Sequence, residues 1–361
     1  MPQNINIFAG KNAFSLIRKK GLSPDLIEVI AGAAGGPKWL ILYHLDKFIF
    51  TSWITRRTQP LFLIGSSIGA WRFAAVSQKD PSGALKKFKD AYIHQVYLKK
   101  PTADEVTRES IRILNTFMDD PGIGHLLEHP YLRLNLLSVY CQLFAASDNP
   151  FMLAPAIMTS AILNAIDRRL LGCFYKRALF YHPKNIPPFI DMNQFPIIKA
   201  PLSQRNLKDA ILSTGSIPLV MKGVRNIFGA PSGVYRDGGI LDYHLDINFF
   251  NRQDKIVLYP HYTDRVIPGW FDKKFFHRKP DPKHMASVLM ISPSKKLISK
   301  LPLGKIPDRD DFFLFKGKDS QRIAYWKKVT EMGKYMAEEF HNVVESGRIC
   351  QVVKPLDHPK G

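Results

Sequence analysis

The sequence predicts an α/β protein with a mostly parallel central sheet, and three observations carry that prediction. Two short apolar runs, residues 26–31 and 61–64, each lead into a small-residue turn and then into a stretch of helical character. Both turns are rich in glycine: Gly32-Ala33-Ala34-Gly35-Gly36 after the first run and Gly65-Ser66-Ser67-Ile68-Gly69 after the second. The order strand, turn, helix, strand, turn, helix is that of parallel units, because parallel neighbours need a crossover between them.

The elements follow in chain order. Pro37 suits the first position of a helix over 38–50, since its missing N–H is one the helix start leaves free. A second helix is predicted over 70–76. Residues 81–129 read as helical, with Phe88, Tyr92 and Val96 and then Val106, Ile111, Leu114 and Phe117 at helical spacing. Strands are predicted over 131–140, 177–181, 195–199, 219–224, 233–236, 255–259 and 286–291, and helices over 150–171 and 204–213. Residues 262–283 and 292–311 are rich in Pro, Lys and Asp and read as loops at the rim of a site. Residues 320–346 read as one long amphipathic helix, and 355–361 as a frayed end.

Bulk properties bound the function. The 361 residues suit one large domain or a domain with an appendage. The expected division is a catalytic domain over 1–250, with a helical insertion over 81–129, and an extension over 251–361 packed on it. The richest apolar window, 149–166, contains Pro155, Thr159, Ser160 and Asn164, so it reads as a buried or interfacial helix rather than a membrane span. The N-terminus lacks the basic start and apolar core of a secretory signal. The three cysteines, Cys141, Cys173 and Cys350, form no metal-ligand spacing and fit a reducing compartment, hence a cytoplasmic protein, peripheral at membranes. No cluster of histidines or carboxylates has ligand spacing, so no metal or other cofactor is expected.

The net charge is +20, spread in pairs such as Arg56-Arg57, Lys99-Lys100, Arg168-Arg169 and Lys273-Lys274. Such an excess attracts a polyanion. No helix-turn-helix, zinc finger or RNP-type pattern is present, which argues against a specific nucleic-acid partner and for an anionic membrane surface.

Three blocks carry chemistry. Gly65-x-Ser67-x-Gly69 stands at a strand-to-helix turn, where the bend is sharp, the flanking glycines avoid collisions and the central hydroxyl is presented at a helix N-terminus. Its bland alternative is a glycine-rich turn of an ordinary α/β domain. Ala34-Gly35-Gly36-Pro37-Lys38 offers main-chain N–H groups at a helix start, as an oxyanion hole requires. The phosphate-loop patterns G-x-x-x-x-G-K-[ST] and G-x-G-x-x-G are absent, and the bland reading is a tight β-α turn. Asp237-Gly238-Gly239 closes a strand, and its carboxylate can take the serine proton directly.

In this order and combination the blocks resemble the patatin-like phospholipase family, whose members carry a Gly-rich oxyanion loop ending in Arg or Lys, then G-x-S-x-G, then D-G-[GA]. The small-residue run Ser213-Thr214-Gly215-Ser216-Ile217-Pro218 resembles a fourth block. The matches anchor residues 26–245. Two positions depart from the family: Ala34 replaces a glycine, keeping its N–H, and Trp39 replaces the loop's last glycine, which is expected to reshape the mouth. The resemblance implies a three-layer α/β/α fold and a Ser-Asp dyad without histidine that hydrolyses lipid acyl esters such as those of phospholipids. Ser67 would be the nucleophile and Asp237 the base. Ala34, Gly35, Gly36 and the backbone around Lys38 would hold the oxyanion, and Gly65, Gly69, Gly238 and Gly239 would support the turns. The Lys38 side chain would brace the loop or meet an anionic head group.

Two alternatives stand beside this reading. An α/β-hydrolase triad would draw on His244, His261, His277, His284 or His341, but only one clear strand is predicted before the one entering Ser67, where that fold needs several. A non-catalytic basic membrane-binding protein would also suit the charge.

Overall fold

The computed structural model describes residues 2–97 and 99–356. Among them eleven strands form one sheet. In chain order the strands are β1 (Ile5–Ala9), β2 (Ile27–Gly32), β3 (Leu61–Ser66), β4 (Leu132–Cys141), β5 (Tyr175–Tyr181), β6 (Ile197–Pro201), β7 (Val224–Arg225), β8 (Val234–Asp237), β9 (Ile256–Pro260), β10 (Val288–Pro293) and β11 (Lys354–Pro355). Their order across the sheet is β11-β1-β10-β9-β2-β3-β4-β5-β6, with β8 paired to both β4 and β7. The centre is parallel: β10 with β9, β9 with β2, β2 with β3 and β3 with β4. Antiparallel pairs lie outside it, β1 with β10 and β4 with both β5 and β8.

Helices flank this sheet, which makes the α/β class plain. They are α1 (Lys11–Lys20), α2 (Tyr43–Phe48), α3 (Ile68–Val76), α4 (Pro81–Ile93), α5 (Ala103–Phe117), α6 (Asp120–Glu128), α7 (Pro150–Ile166), α8 (Leu207–Thr214), α9 (Pro282–Met285), α10 (Lys295–Lys300), α11 (Asp311–Leu314), α12 (Asp319–Met332), α13 (Lys334–Glu345) and α14 (Ile349–Val352). Local signals set several starts. Asp80 accepts from Gly83 N–H at 2.9 Å with Pro81 opening α4, and Thr102 and Glu105 form a reciprocal capping box on α5. Strands β3, β9 and β10 are buried along their whole length, as parallel strands covered on both faces must be.

Several expectations need correction. Ile5–Ala9 is a strand that precedes the first one predicted; its short alternation was hidden in an unremarkable N-terminus. The helix expected over 38–50 is a 3-10 turn (Gly36–Leu42), α2 and then a π turn (Ile49–Trp53). Residues 219–223 are not strand; only Val224–Arg225 pairs, at the edge of β8. Lys295–Lys300 is helical within a stretch read as loop. The long C-terminal helix is two helices parted at Gly333, where a Cβ would stand 2.3 Å from the Ile41 carbonyl oxygen. Lys354–Pro355 pairs with β1, so the end is not frayed there, and 357–361 lie outside the described residues.

The division at residue 250 also changes meaning. β9 and β10, both from the supposed extension, stand in the sheet beside β2 and β1. The C-terminal third completes the central sheet rather than packing on a finished one.

Candidate active site

Register alone brings the serine and the aspartate together. In the parallel pair β3/β4, Ser66 lies opposite Leu137, so Ser67 leaves the sheet level with Ser138. In the antiparallel pair β4/β8, Ser138 lies opposite Asp237. Two residues 170 apart in sequence thus meet across one strand, and Ser67 Oγ donates to Asp237 Oδ2 at 2.8 Å.

The serine turn is strained. Ser67 has φ 52° and ψ −128°, a region a non-glycine residue occupies only when its surroundings force it. The forcing contacts are close. A Cβ on Gly65 would stand 2.4 Å from the Ala70 nitrogen, and one on Gly69 would stand 2.1 Å from the Gly32 carbonyl oxygen. The Ser67 N–H donates to Thr214 Oγ1 at 2.8 Å, and Thr214 in turn donates to the Leu137 carbonyl at 2.5 Å. The run Ser213–Pro218, to which sequence reading gave no role, therefore holds the turn. Behind it, Arg72 on α3 forms a buried two-pronged pair with Asp46 on α2, at 2.7 and 2.6 Å.

Asp237 is aimed by its own turn. Its Oδ1 accepts the Gly239 N–H at 2.7 Å, leaving Oδ2 for the serine. A Cβ on Gly238 would stand 2.0 Å from the Leu137 carbonyl oxygen. The neighbouring Arg236 points the other way, onto Asp148 at 2.5 Å. Burial pushes the Asp237 carboxyl above the ordinary aspartate range, and Arg309, the Gly239 N–H and the Ser67 hydroxyl pull it partly back.

The two residues lie in a cavity of about 710 Å³. From the glycine-rich loop, Ala34, Gly35 and Lys38 line it; from the DGG turn, Gly239 does. Gly35 (φ 152°) and Gly36 (φ 56°) both hold backbone that favours glycine. Their N–H groups have no hydrogen-bond partner among the described residues. The Ala34 N–H is different: it donates to the Tyr243 carbonyl at 2.9 Å. Ala34 was expected to donate to an oxyanion, and this bond corrects that, because the one proton it has is already spent. Gly36 is buried beneath Arg309 and does not line the cavity, whereas Gly35 does. The Lys38 N–H, also expected to serve an oxyanion, donates to the Gly35 carbonyl at 3.5 Å, which corrects that expectation too. Trp39, expected to reshape the mouth, is instead core, stacked on Phe88 with ring centroids 4.6 Å apart.

Residues not anticipated from sequence clamp the loop. The Tyr262 hydroxyl donates to the Ala34 carbonyl at 2.6 Å and meets His244 Nε2 at 2.6 Å. His244 Nδ1 lies 3.0 Å from the Ile267 N–H, so both ring nitrogens are engaged. Burial, followed by His261 nearby, drives the His244 pKa well below its ordinary value, which keeps the ring neutral. No histidine bonds to Ser67 or Asp237 among the described residues, so the five histidines considered for a triad do not assemble one: His261 bonds the Thr263 N–H, His284 pairs with Asp246, and His341 stacks near Phe48.

The cavity lining mixes charged and apolar groups. Lys38, Lys273 and Arg309 line it and are in no ion pair among the described residues, and the carboxylates Asp308 and Asp310 line it beside them. Burial, reinforced by Lys38 and Arg309, lowers the Lys273 ammonium to about 7. Its Nζ lies 4.4 Å from the centroid of the Tyr243 ring, which offsets part of that penalty. Ile217, Ile240, Ile267 and Ile306 supply apolar lining. Lys273 and Arg309 come from the two loops read as the rim of a site, and that is where they sit. Among the described residues no group of histidines, cysteines or carboxylates could hold a metal ion, and no helix is long and apolar enough to cross a membrane.

No family model matches the sequence, and no curated protein matches it. Among solved structures, the chain is similar to VipD from Legionella pneumophila, at 10% identity and a TM-score of 0.36, over 85% of this chain and 67% of that one.

Proposed function

We propose that the protein is a lipid acyl hydrolase of the patatin-like type that works through a serine acyl-enzyme, with Ser67 as nucleophile and Asp237 as base. The observation that carries the reading is the 2.8 Å hydrogen bond from a strained serine hydroxyl to a buried carboxylate at the floor of a cavity. A carboxylate whose pKa burial has raised is a stronger base than a solvated one.

The steps follow from the geometry. Ser67 Oγ attacks the ester carbonyl as its proton passes to Asp237 Oδ2. The tetrahedral oxyanion takes the Gly35 N–H, with the N-terminal end of α3 adding its favourable field. The C–O bond to the glycerol or head-group alcohol breaks, and Asp237 returns the proton to that oxygen. Water then repeats the sequence on the acyl-enzyme and frees the fatty acid. The isoleucines of the lining suit the acyl chain. Lys38, Lys273 and Arg309, which are in no ion pair among the described residues, suit a phosphate despite the neighbouring Asp308 and Asp310.

Treatment with a fluorophosphonate probe and mapping of the adduct by mass spectrometry tests the assignment. The expected adduct is on Ser67. Ser67→Ala and Asp237→Asn should each lower phospholipid hydrolysis by about a thousandfold or more while leaving the melting transition in place. Labelling elsewhere, or vesicle hydrolysis that survives Ser67→Ala, would reject it.

A further inference from the structure

Helix α7 is built inside out. Its seventeen residues carry no charge, yet the side chains it buries are small or polar at several positions: Leu153, Ala156, Ser160 and Asn164. The polar ones are used to fasten it. Ser160 Oγ meets the Ala156 carbonyl at 2.7 Å and the Tyr175 hydroxyl at 3.3 Å, and the Asn164 amide donates to Asp272 at 2.8 Å. On the opposite face, at i, i+7, i+11 and i+15, stand Phe151 (89% exposed), Met158 (66%), Ile162 (61%) and Ile166 (72%). A soluble surface helix turns its apolar stripe to the core; this one turns it to solvent. A contiguous exposed apolar stripe of this kind marks an interaction surface.

Both ends of α7 are tied to segments that also line the cavity. At the N-terminal end, Asp148 takes the Gly223 N–H at 2.9 Å and Arg225 at 3.0 Å, tying the start of α7 to the loop that follows the cavity-lining Ile217 and Pro218. That loop exposes Leu219 and Val220. At the C-terminal end, Arg278 donates to the Asn164 and Ala165 carbonyls. The turn Trp270–Lys274, which contributes Trp270 and Lys273 to the cavity, packs on the helix. The segment 262–279 that makes this edge has five basic and two acidic residues, and one of the acids, Asp272, is buried against Arg168 and Arg278. It also exposes Phe276.

We infer that α7 is an interfacial helix that lies on an anionic lipid bilayer, its Phe151-Met158-Ile162-Ile166 stripe in the acyl boundary and the cavity mouth turned to the lipid. The choice of bilayer over protein rests on the acyl-hydrolase reading above and on charge: the stripe is framed by a basic edge on a chain of net charge +20. The stripe also projects, with Phe151 almost wholly in solvent, rather than forming a groove that a peptide could fill.

The test uses the full chain and vesicles of phosphatidylcholine with or without phosphatidylglycerol. Replacing Phe151, Met158 and Ile162 together by serine should weaken flotation with anionic vesicles by about a hundredfold. Hydrolysis of a short, water-soluble nitrophenyl ester should stay within about twofold, since none of the three lines the cavity. In a second variant, Phe151→Trp, brominated acyl chains should quench the added fluorescence. Vesicle binding equal to wild type in the triple variant, or no quenching, overturns the inference. So does a lipid-free dimer that the triple variant reduces to monomer, because the stripe would then face a second copy. Loss of all ester hydrolysis with stripe-dependent binding retained would remove the hydrolase reading and leave the docking surface standing; intact hydrolysis with stripe-independent binding would do the reverse.

Discussion

The Ser67 turn and helix α7 are both uncharged, and they solve opposite problems. At the turn every neighbour is close. Gly32, Ala70 and Leu137 backbone atoms leave no room for a Cβ on Gly69, Gly65 or Gly238, and the Ser67 N–H and Oγ both have partners. On α7 the outward side chains touch little, and the fastening is done by Ser160 and Asn164 underneath. One region holds strain in place by packing. The other leaves apolar surface uncovered at a cost the fold tolerates. Close packing surrounds the Ser67–Asp237 hydrogen bond, and exposed apolar area is concentrated on the outer face of α7.

Four substitutions sharpen that contrast, in falling order of effect. Gly69→Ala places a methyl 2.1 Å from the Gly32 carbonyl oxygen, so denaturant unfolding should show a loss of roughly 3 kcal/mol or more, with activity falling alongside. Tyr262→Phe removes the hydroxyl between His244 and the Ala34 carbonyl; it should cost about 1–2 kcal/mol of stability and lower kcat about tenfold on a soluble ester, with KM little changed.

Lys273→Met acts through pH. The folded pKa of Lys273 is lowered to about 7 from 10.5, so between those values the unfolded chain binds a proton the folded chain has released. Wild-type stability should therefore rise with pH across that window, and the variant should lose that rise. Affinity for an anionic head group should fall in the same window in wild type alone. Asp237 gives the other limb: with its pKa raised, kcat/KM should decline on acidification at a pH above the usual aspartate range. The smallest change is Phe151→Ser, expected to move stability by no more than about 0.5 kcal/mol because the ring is already in water.

How much could be read in advance follows the range of the interactions. The elbow was legible because its requirement is local: glycine two residues either side of a serine between an apolar run and a helix. Asp237 was legible as a candidate, since a carboxylate before two glycines makes its own turn. The spent N–H of Ala34 was not, because its acceptor is Tyr243, more than two hundred residues away and without any pattern that marks it. The clamp of Tyr262 and His244 and the cations Lys273 and Arg309 come from loops whose composition indicates a rim but not which side chains turn inward. Helix α7 was legible as an apolar helix too interrupted to span a membrane, but its orientation was not. Only the bonds of Ser160 to Tyr175 and of Asn164 to Asp272 say which face is down.

By itself the sequence determined the α/β class, the strained serine, the aspartate turn and the cationic excess, all of which follow from short-range sterics or simple counting. The tertiary structure decided that β9 and β10 complete the central sheet, that β4 carries Ser67 and Asp237 to within 2.8 Å, which N–H groups stay free and which face of α7 meets solvent. Those outcomes depend on strand register and on pairings between distant segments, and a chain does not display such pairings until it has closed on itself.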